Sequence, residues 1–328
     1  MIIGLTYDVK EDWEIQEGDP ADINAEFDKP ATIQSIINAI ISGGHTVKII
    51  GNFESLIRSV DNLGVDIVFN ICEGRTGRNR ESQVPVLLEA KKVPYVGSDG
   101  LTLGITLDKV IAKKLFQSEG IRTPRFFEAR KGDDLEALNV IGFPLIVKTR
   151  HEGSSKGITS SSRVVDLAGL KRQVELINDQ YDQPALVEEF IGGTEFTVAV
   201  LGNEEPKAME PVQISIAGKV DMGEDFYTFN RFTADHLQYI CPADISEILK
   251  EKLKAIAIEV YNCVDCKDFG RVDFRVDETG CPFVLEINPL PSLDTEEVFN
   301  IFPNTYSSNY NEVINDVIGF ALKRYKLA

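Results

Sequence analysis

Strand-length and helix-length apolar patterns alternate through the first hundred residues, and this alternation restricts the fold more than any other feature of the chain. Ile2–Tyr7 is an apolar run of strand length. A stripe of Ile33, Ile36, Ile37, Ile40 and Ile41 then recurs at helical spacing, with Pro30 near its start and Gly43-Gly44 at its end. His45–Ile50 and Val65–Cys72 are further β-branched runs, separated and followed by helical patterns over Glu54–Asn62 and Ser82–Lys92, and Val93–Val96 offers one more short strand. Strands that alternate with helices lie parallel in one sheet, and the helices cover it. The opening third is therefore expected to be α/β.

The pattern then changes. A helix is expected over Thr106–Glu119, a strand over Pro144–Thr149, a helix near Asp166–Gln180 and a strand over Ala185–Phe190. Strands at Glu195–Leu201, Ala208–Ser215, Gly270–Val276 and Phe283–Ile287 follow, with long helices at Ile245–Tyr261 and Tyr310–Tyr325. This remainder reads as α+β, and the chain divides into units of about 1–100, 101–183 and 184–328. A formal charge of −18 argues against nucleic acid as a partner, because phosphate-backbone binding needs a basic face. Met1–Leu5 is too short for a secretory signal, and no apolar run is long enough to span a bilayer, so no membrane role and a cytoplasmic location are expected. The five cysteines include a Cys263-Val264-Asp265-Cys266 pair without a second pair or a histidine pattern, which reads as structural thiols.

Three stretches carry chemistry. Lys148 ends a strand and leads into Glu152-Gly153-Ser154-Ser155-Lys156-Gly157, a small-residue loop whose N–H groups and hydroxyls can approach phosphate oxygens. Its spacing is not that of a Walker loop, and the first strand is not followed by a G-x-G-x-x-G turn. Downstream, Gly270-Arg271-Val272-Asp273 and Glu286-Ile287-Asn288 lie on strands joined by a turn, where alternation puts Asp273, Glu286 and Asn288 on one face. Carboxylates with an amide oxygen are hard ligands suited to magnesium, and Arg271 is spaced to reach the same phosphates. Between these stretches, Glu188 and Glu195 could accept from an adenine amino group or ribose hydroxyls.

Together with Pro94-Tyr95-Val96-Gly97-Ser98, Leu107-Asp108-Lys109 and Glu195-Phe196-Thr197-Val198, these motifs make the chain resemble the ATP-grasp superfamily, and within it the D-alanine–D-alanine ligase family, from about Asn70 to Tyr325. The resemblance implies an ATP-grasp fold, with a Rossmann-like parallel-sheet domain followed by two α+β subdomains that clasp ATP. It places Lys109 and Lys148 at the ATP phosphates and adenine site, Glu188 at the adenine edge and Glu195 at the ribose. Glu152, Ser154, Ser155, Glu189, Ile191 and Arg231 join them around the nucleotide. Asp273, Glu286 and Asn288 would hold two Mg²⁺ ions, with Mn²⁺ as a substitute. Arg271, Ser154 and Lys156 would be the catalytic residues. The implied reaction is ATP-dependent joining of a carboxylate to an amine through an acyl phosphate, with release of ADP and phosphate. Amino-acid-like substrates and a homodimer are implied as partners. The alternatives are a ligase for other amino-acid-like substrates in specialised metabolism and an ATP-grasp nucleotide-binding protein without ligase activity.

The substrate end departs from the family pattern. Asp8-Val9-Lys10-Glu11-Asp12-Trp13 stands where the family has a Gly-Gly-x-Ser-x-Glu loop, and Asp8, Glu11 or Asp12 could replace its glutamate. Glu73-Gly74-Arg75 and Arg78-Asn79-Arg80-Glu81 stand where the family has a His-Gly segment before its Glu-Asp-Gly turn. Arg231-Phe232 replaces a Lys-Tyr pair, with Tyr227 as a substitute for the lost hydroxyl, and Pro289–Asp294 brings an acid to a region that binds a carboxylate in the family. The nine carboxylates between Asp8 and Asp28 fit either a lid for a basic or ammonium-bearing substrate or a solvated surface loop.

Overall fold

The computed structural model describes residues 1–226, 228 and 237–327. Its first sheet is parallel and has the order β2-β1-β3-β4, from β1 (Ile2–Tyr7), β2 (Thr46–Gly51), β3 (Ile67–Ile71) and β4 (Tyr95–Val96). The expected alternation is present. Helices α1 (Pro30–Ser42), α2 (Phe53–Ser59) and α3 (Gln83–Ala90) connect the strands. Pro30 opens α1, where its missing N–H costs no helical bond, and Ile33, Ile36 and Ile40 form its buried stripe.

The helix expected over Thr106–Glu119 is two helices, α4 (Gly100–Leu107) and α5 (Lys109–Ser118), broken at Asp108. The cause is local. Asp108 leaves helical geometry at φ −85°, ψ 89°, and its buried carboxylate caps Ile111 N–H while taking bonds from Arg150 at 2.7 and 2.8 Å and from Arg78 at 2.7 Å. This break aims Lys109 into the centre of the molecule.

A second sheet of order β5-β8-β6-β7 is antiparallel: β5 (Phe126–Ala129), β6 (Leu145–Thr149), β7 (Arg163–Val164) and β8 (Ala185–Glu189). The helices α6 (Leu135–Leu138) and α7 (Leu167–Tyr181) accompany it. The third sheet, also antiparallel, holds β9 (Thr194–Leu201), β10 (Lys207–Ala208), β11 (Val212–Ile216), β12 (Leu237–Ile240), β13 (Phe269–Val276) and β14 (Pro282–Asn288). The strand expected over Ala208–Ser215 is divided into β10 and β11, because Pro211 has no N–H to give a ladder. The helix α8 (Glu247–Cys263) covers this sheet.

The chain finally returns to its beginning. The helices α9 (Val298–Ile301) and α10 (Tyr310–Arg324), with Phe302 just after α9, pack Phe299, Phe302, Ile314, Val317 and Ile318 into the same core as Ile3, Leu5, Ile36 and Ile40. Arg324 then binds the buried Asp268 at 2.6 Å and the carbonyls of Tyr95 and Gly97. Asp268 also accepts from Gly97 N–H at 2.8 Å, so one carboxylate links the first and third sheets. The reading of Cys263 and Cys266 is consistent with these contacts: both are free thiols, and Cys266 is buried against Ser98.

Candidate active site

The metal-type residues are set by the pairing of β13 with β14. Its register places Asp273 opposite Glu286 and Arg271 opposite Asn288, with an irregularity just after Asp273. Arg271 donates to both oxygens of Asp273 at 3.1 Å, Thr197 Oγ1 donates to Asp273 Oδ1 at 2.6 Å, and Asn288 Nδ2 donates to Oδ2 at 3.0 Å. Glu286 Oε2 lies 3.0 Å from Lys109 Nζ. Burial pushes the Glu286 carboxyl up, but Lys109 and Lys148 outweigh it and hold it at about 2.

The second sheet presents an analogous cluster of paired charges. Glu188 lies opposite Ile146, so Lys148, two residues along β6, shares its face. Lys148 Nζ is 2.7 Å from Glu188 Oε2, and Lys113 Nζ is 2.6 Å from Oε1. Glu188 and Lys113 are each only 1% exposed, so each charge depends on the other for its solvation. Burial would raise the Glu188 carboxyl, yet the two lysines bring it below its ordinary range. Glu188 is thus engaged by lysines in addition to any role at an adenine edge. Glu189 makes a two-point pair with Arg125 at 2.9 Å, and Glu195 lies 3.6 Å from Arg275.

The small-residue loop follows β6. Ser154 and Ser155 both have left-handed backbone, at φ 46° and 57°, a conformation that costs non-glycine residues energy and persists where surrounding contacts enforce it. Those contacts come from the acidic segment. Glu26 accepts from Gly153 N–H, pairs with Lys156 at 3.0 Å and takes Arg80 at 2.6 Å. Asp22 accepts from Gly157 N–H at 2.8 Å and from the Tyr181 hydroxyl. Lys156 also pairs with Glu152, which accepts from Gln183 at 2.9 Å. Burial raises the Glu26 carboxyl, and Arg80 and Lys156 override that to hold it at about 2.

All of these elements border one cavity of about 810 Å³. Lys109, Lys148, Glu152, Ser154, Ser155, Lys156, Glu188, Glu189, Ile191, Glu195, Arg271, Asp273, Glu286 and Asn288 all line it. Arg231 and Tyr227 lie outside the described residues. The expected replacements at the N-terminal loop need correction: Asp8 is buried and accepts from Gly74 N–H at 3.0 Å, while Glu11 and Asp12 are exposed, and none of the three borders the cavity. Glu26 and Asp28, further along the same segment, border it instead. The contacts of Glu26 and Asp22 also show that this part of the segment is not a solvated loop.

Sequence reasoning singled out neither Lys113 nor Glu26, and it named Arg80 and Thr197 only as members of longer stretches, with no role of their own. Lys113 had a readable signal: it stands four residues after Lys109, on the same helical face. The pairing of Arg80 with Glu26 had none, because it depends on a contact over 54 positions of chain.

The donor set fits magnesium in type: two carboxylates and an amide, all oxygen ligands on paired strands. Among the described residues no group of three His, Cys, Asp or Glu side chains is arranged to hold a metal ion by itself, so a cation here would depend on Asn288 and on nucleotide phosphates.

Fold and cleft together define an ATP-grasp protein. A family model described as D-ala D-ala ligase C-terminus matches residues 115–319. The chain is 38% identical over 264 residues to an uncharacterized protein of Sinorhizobium fredii, covering 79% of this chain and 75% of that one. It is 32% identical over 278 residues to a D-alanine–D-alanine ligase of Pelotomaculum thermopropionicum, covering 82% and 84%. The crystal structure of a D-alanine–D-alanine ligase from Bacillus anthracis complexed with ATP shares the fold, with a TM-score of 0.77, 23% identity and coverage of 99% and 98%. The chain belongs to the D-alanine–D-alanine ligase family, and is an ATP-dependent ligase that forms carbon–nitrogen bonds.

Proposed function

We propose that this cleft activates an amino-acid-like carboxylate with ATP and joins it to the amine of a second such substrate, as ligases of the D-alanine–D-alanine type do. The observation that carries the reading is the convergence of Lys109, Lys148, Arg271, Asp273, Glu286 and Asn288 from separate elements on one cavity. In this reading a carboxylate oxygen attacks the γ-phosphorus of ATP, the bond to ADP breaks, and an acyl phosphate forms. The amine nitrogen then attacks the acyl carbon, phosphate leaves, and the nitrogen loses a proton.

Lys109 and Lys148 neutralise phosphate charge, and Lys113 with Glu188 keeps Lys148 aimed at the nucleotide. Glu188, Glu189, Ile191 and Glu195 line the base and ribose end. Gly153, Ser154, Ser155 and Lys156 cover the phosphates and exclude water, which would hydrolyse an acyl phosphate. Arg271 stabilises the charge of the tetrahedral intermediate. Asp273, Glu286 and Asn288 would hold magnesium, two ions or manganese in their place, which neutralises charge between the carboxylate and the phosphates. We further read the chain as three units, 1–100, 101–183 and 184–328, in a cytoplasmic homodimer. Free cysteines and the lack of a described helix long and apolar enough to cross a membrane support the location. Light scattering tests the dimer.

The reaction is tested by phosphate release from ATP and Mg²⁺ across D- and L-amino acids, singly and in pairs. Stimulation by D-alanine alone is the outcome for the family reaction. No stimulation by any pair would leave a nucleotide-binding protein, a reading that the complete lysine, arginine and carboxylate set argues against.

A further inference from the structure

One end of the cleft is lined by carboxylates that the chemistry above does not use. Asp28, Glu73, Glu81, Asp294, Glu296 and Glu297 all border it. The cations among them are few and mostly engaged. Lys29 is 3.3 Å from Asp294 and 3.6 Å from Glu296, and Arg271, 3.7 Å from Glu297, is committed to both oxygens of Asp273. Lys10 remains.

Glu81 is the most telling member. It is only 8% exposed, borders the cavity, and makes no hydrogen bond or ion pair with another described side chain. Asp28 and Glu73 make none either. Glu73 lies close enough to feel the other two: burial, then Glu81, Glu26 and Asp28, raise its carboxyl well above its ordinary value, with Arg80 opposing. Burial, Glu297 and Asp294 push Asp28 up to about 8, with Lys10 opposing. Burial also raises Glu81, to about 7, with Glu26 and Glu152 adding to it and Arg80 and Lys109 opposing. A fold does not gain from buried carboxylates that repel each other, so their presence in a cleft calls for a ligand of opposite charge.

We propose that one of the two substrates carries a cationic group beyond its reacting atoms, a second ammonium or a guanidinium, and that Glu81 with Asp28 and Glu73 receives it. The inference rests on the ligase reading for the word substrate, but the binding site stands on its own geometry. The α-ammonium of an amino-acid-like substrate can satisfy one of these carboxylates, and a small neutral side chain would leave the others without a partner. A free carboxylate placed there would add to their repulsion.

The test is calorimetric titration of the full chain, loaded with Mg²⁺ and a non-hydrolysable ATP analogue, with 1,4-diaminobutane, D- and L-lysine, and D- and L-ornithine, against D-alanine. At least one cationic probe is expected to bind about tenfold more tightly than D-alanine, and Glu81→Gln to lose that advantage while binding D-alanine as before. Glu73→Gln repeats the test on the same cluster if Glu81→Gln folds poorly. D-alanine binding as tightly as every cationic probe, or an advantage untouched in both variants, overturns the proposal. Phosphate release with the same panel separates the two readings. Cationic preference in binding without ATP cleavage by any pair counts against the ligase reading alone. Best turnover with D-alanine alone overturns the cationic site and leaves the ligase standing.

Discussion

The two ends of the cleft treat charge in opposite ways. At the nucleotide end every buried carboxylate has a cation against it: Glu188 between Lys113 and Lys148, Glu286 on Lys109, Asp273 on Arg271. At the other end Asp28, Glu73 and Glu81 border the same cavity, and the described side chains offer them no ion pair. The first arrangement holds its geometry before ligand arrives. The second stores repulsion that a ligand can relieve. One end is therefore built as a rigid frame for chemistry, and the other as a selective receptor.

This contrast can be broken at its strongest pair. Lys113→Met leaves Glu188 buried beside a single lysine, and should lower stability by about 3–5 kcal/mol in urea unfolding. An unchanged midpoint would show that the nucleotide end does not depend on pre-pairing. Glu286→Gln tests the same end through activity: phosphate release should fall by about 10²–10³-fold with an unchanged circular dichroism spectrum, and near-normal turnover would remove the metal assignment.

The next two measurements use pH, and their signs oppose. Glu26 has its folded carboxyl at about 2, below its unfolded value of 4.5, so its contribution is present above 4.5 and lost as pH falls towards 2. Wild type should therefore lose its advantage over Glu26→Gln across that window, an effect on the order of 3 kcal/mol. Glu81 has its folded carboxyl raised to about 7 from 4.5, so its contribution is full below 4.5 and is lost as pH rises through 7. Glu81→Gln should gain on wild type in melting experiments at pH 8 relative to pH 4, by about 1–3 kcal/mol. A loss at pH 8 would mean that Glu81 is paired after all.

Much of the nucleotide end was legible in the sequence because its residues are close along the chain or fixed by strand alternation. Asp273, Glu286 and Asn288 follow from two strands joined by a turn, and Lys148 from the end of β6. The helix break at Asp108 was not legible, because it depends on Arg78 and Arg150 reaching one carboxylate from other segments. The acidic segment was misread at its near end for the same reason. Nothing local distinguishes Asp8, Glu11 and Asp12 from Glu26, and only packing decides which carboxylate meets the loop.

The sequence by itself determined the α/β opening, the ATP-grasp motifs and the chemistry of phosphate and metal-type ligands, since these rest on periodicity and on spacings within single elements. Only the tertiary structure decided that Glu26 and Asp22 hold the small-residue loop, that Lys113 backs Glu188, that the last helix closes on the first sheet, and that Glu81 faces the cleft without a partner. Charge is read from composition, but whether a charge is paired depends on which distant segments share its few ångströms of low-dielectric space.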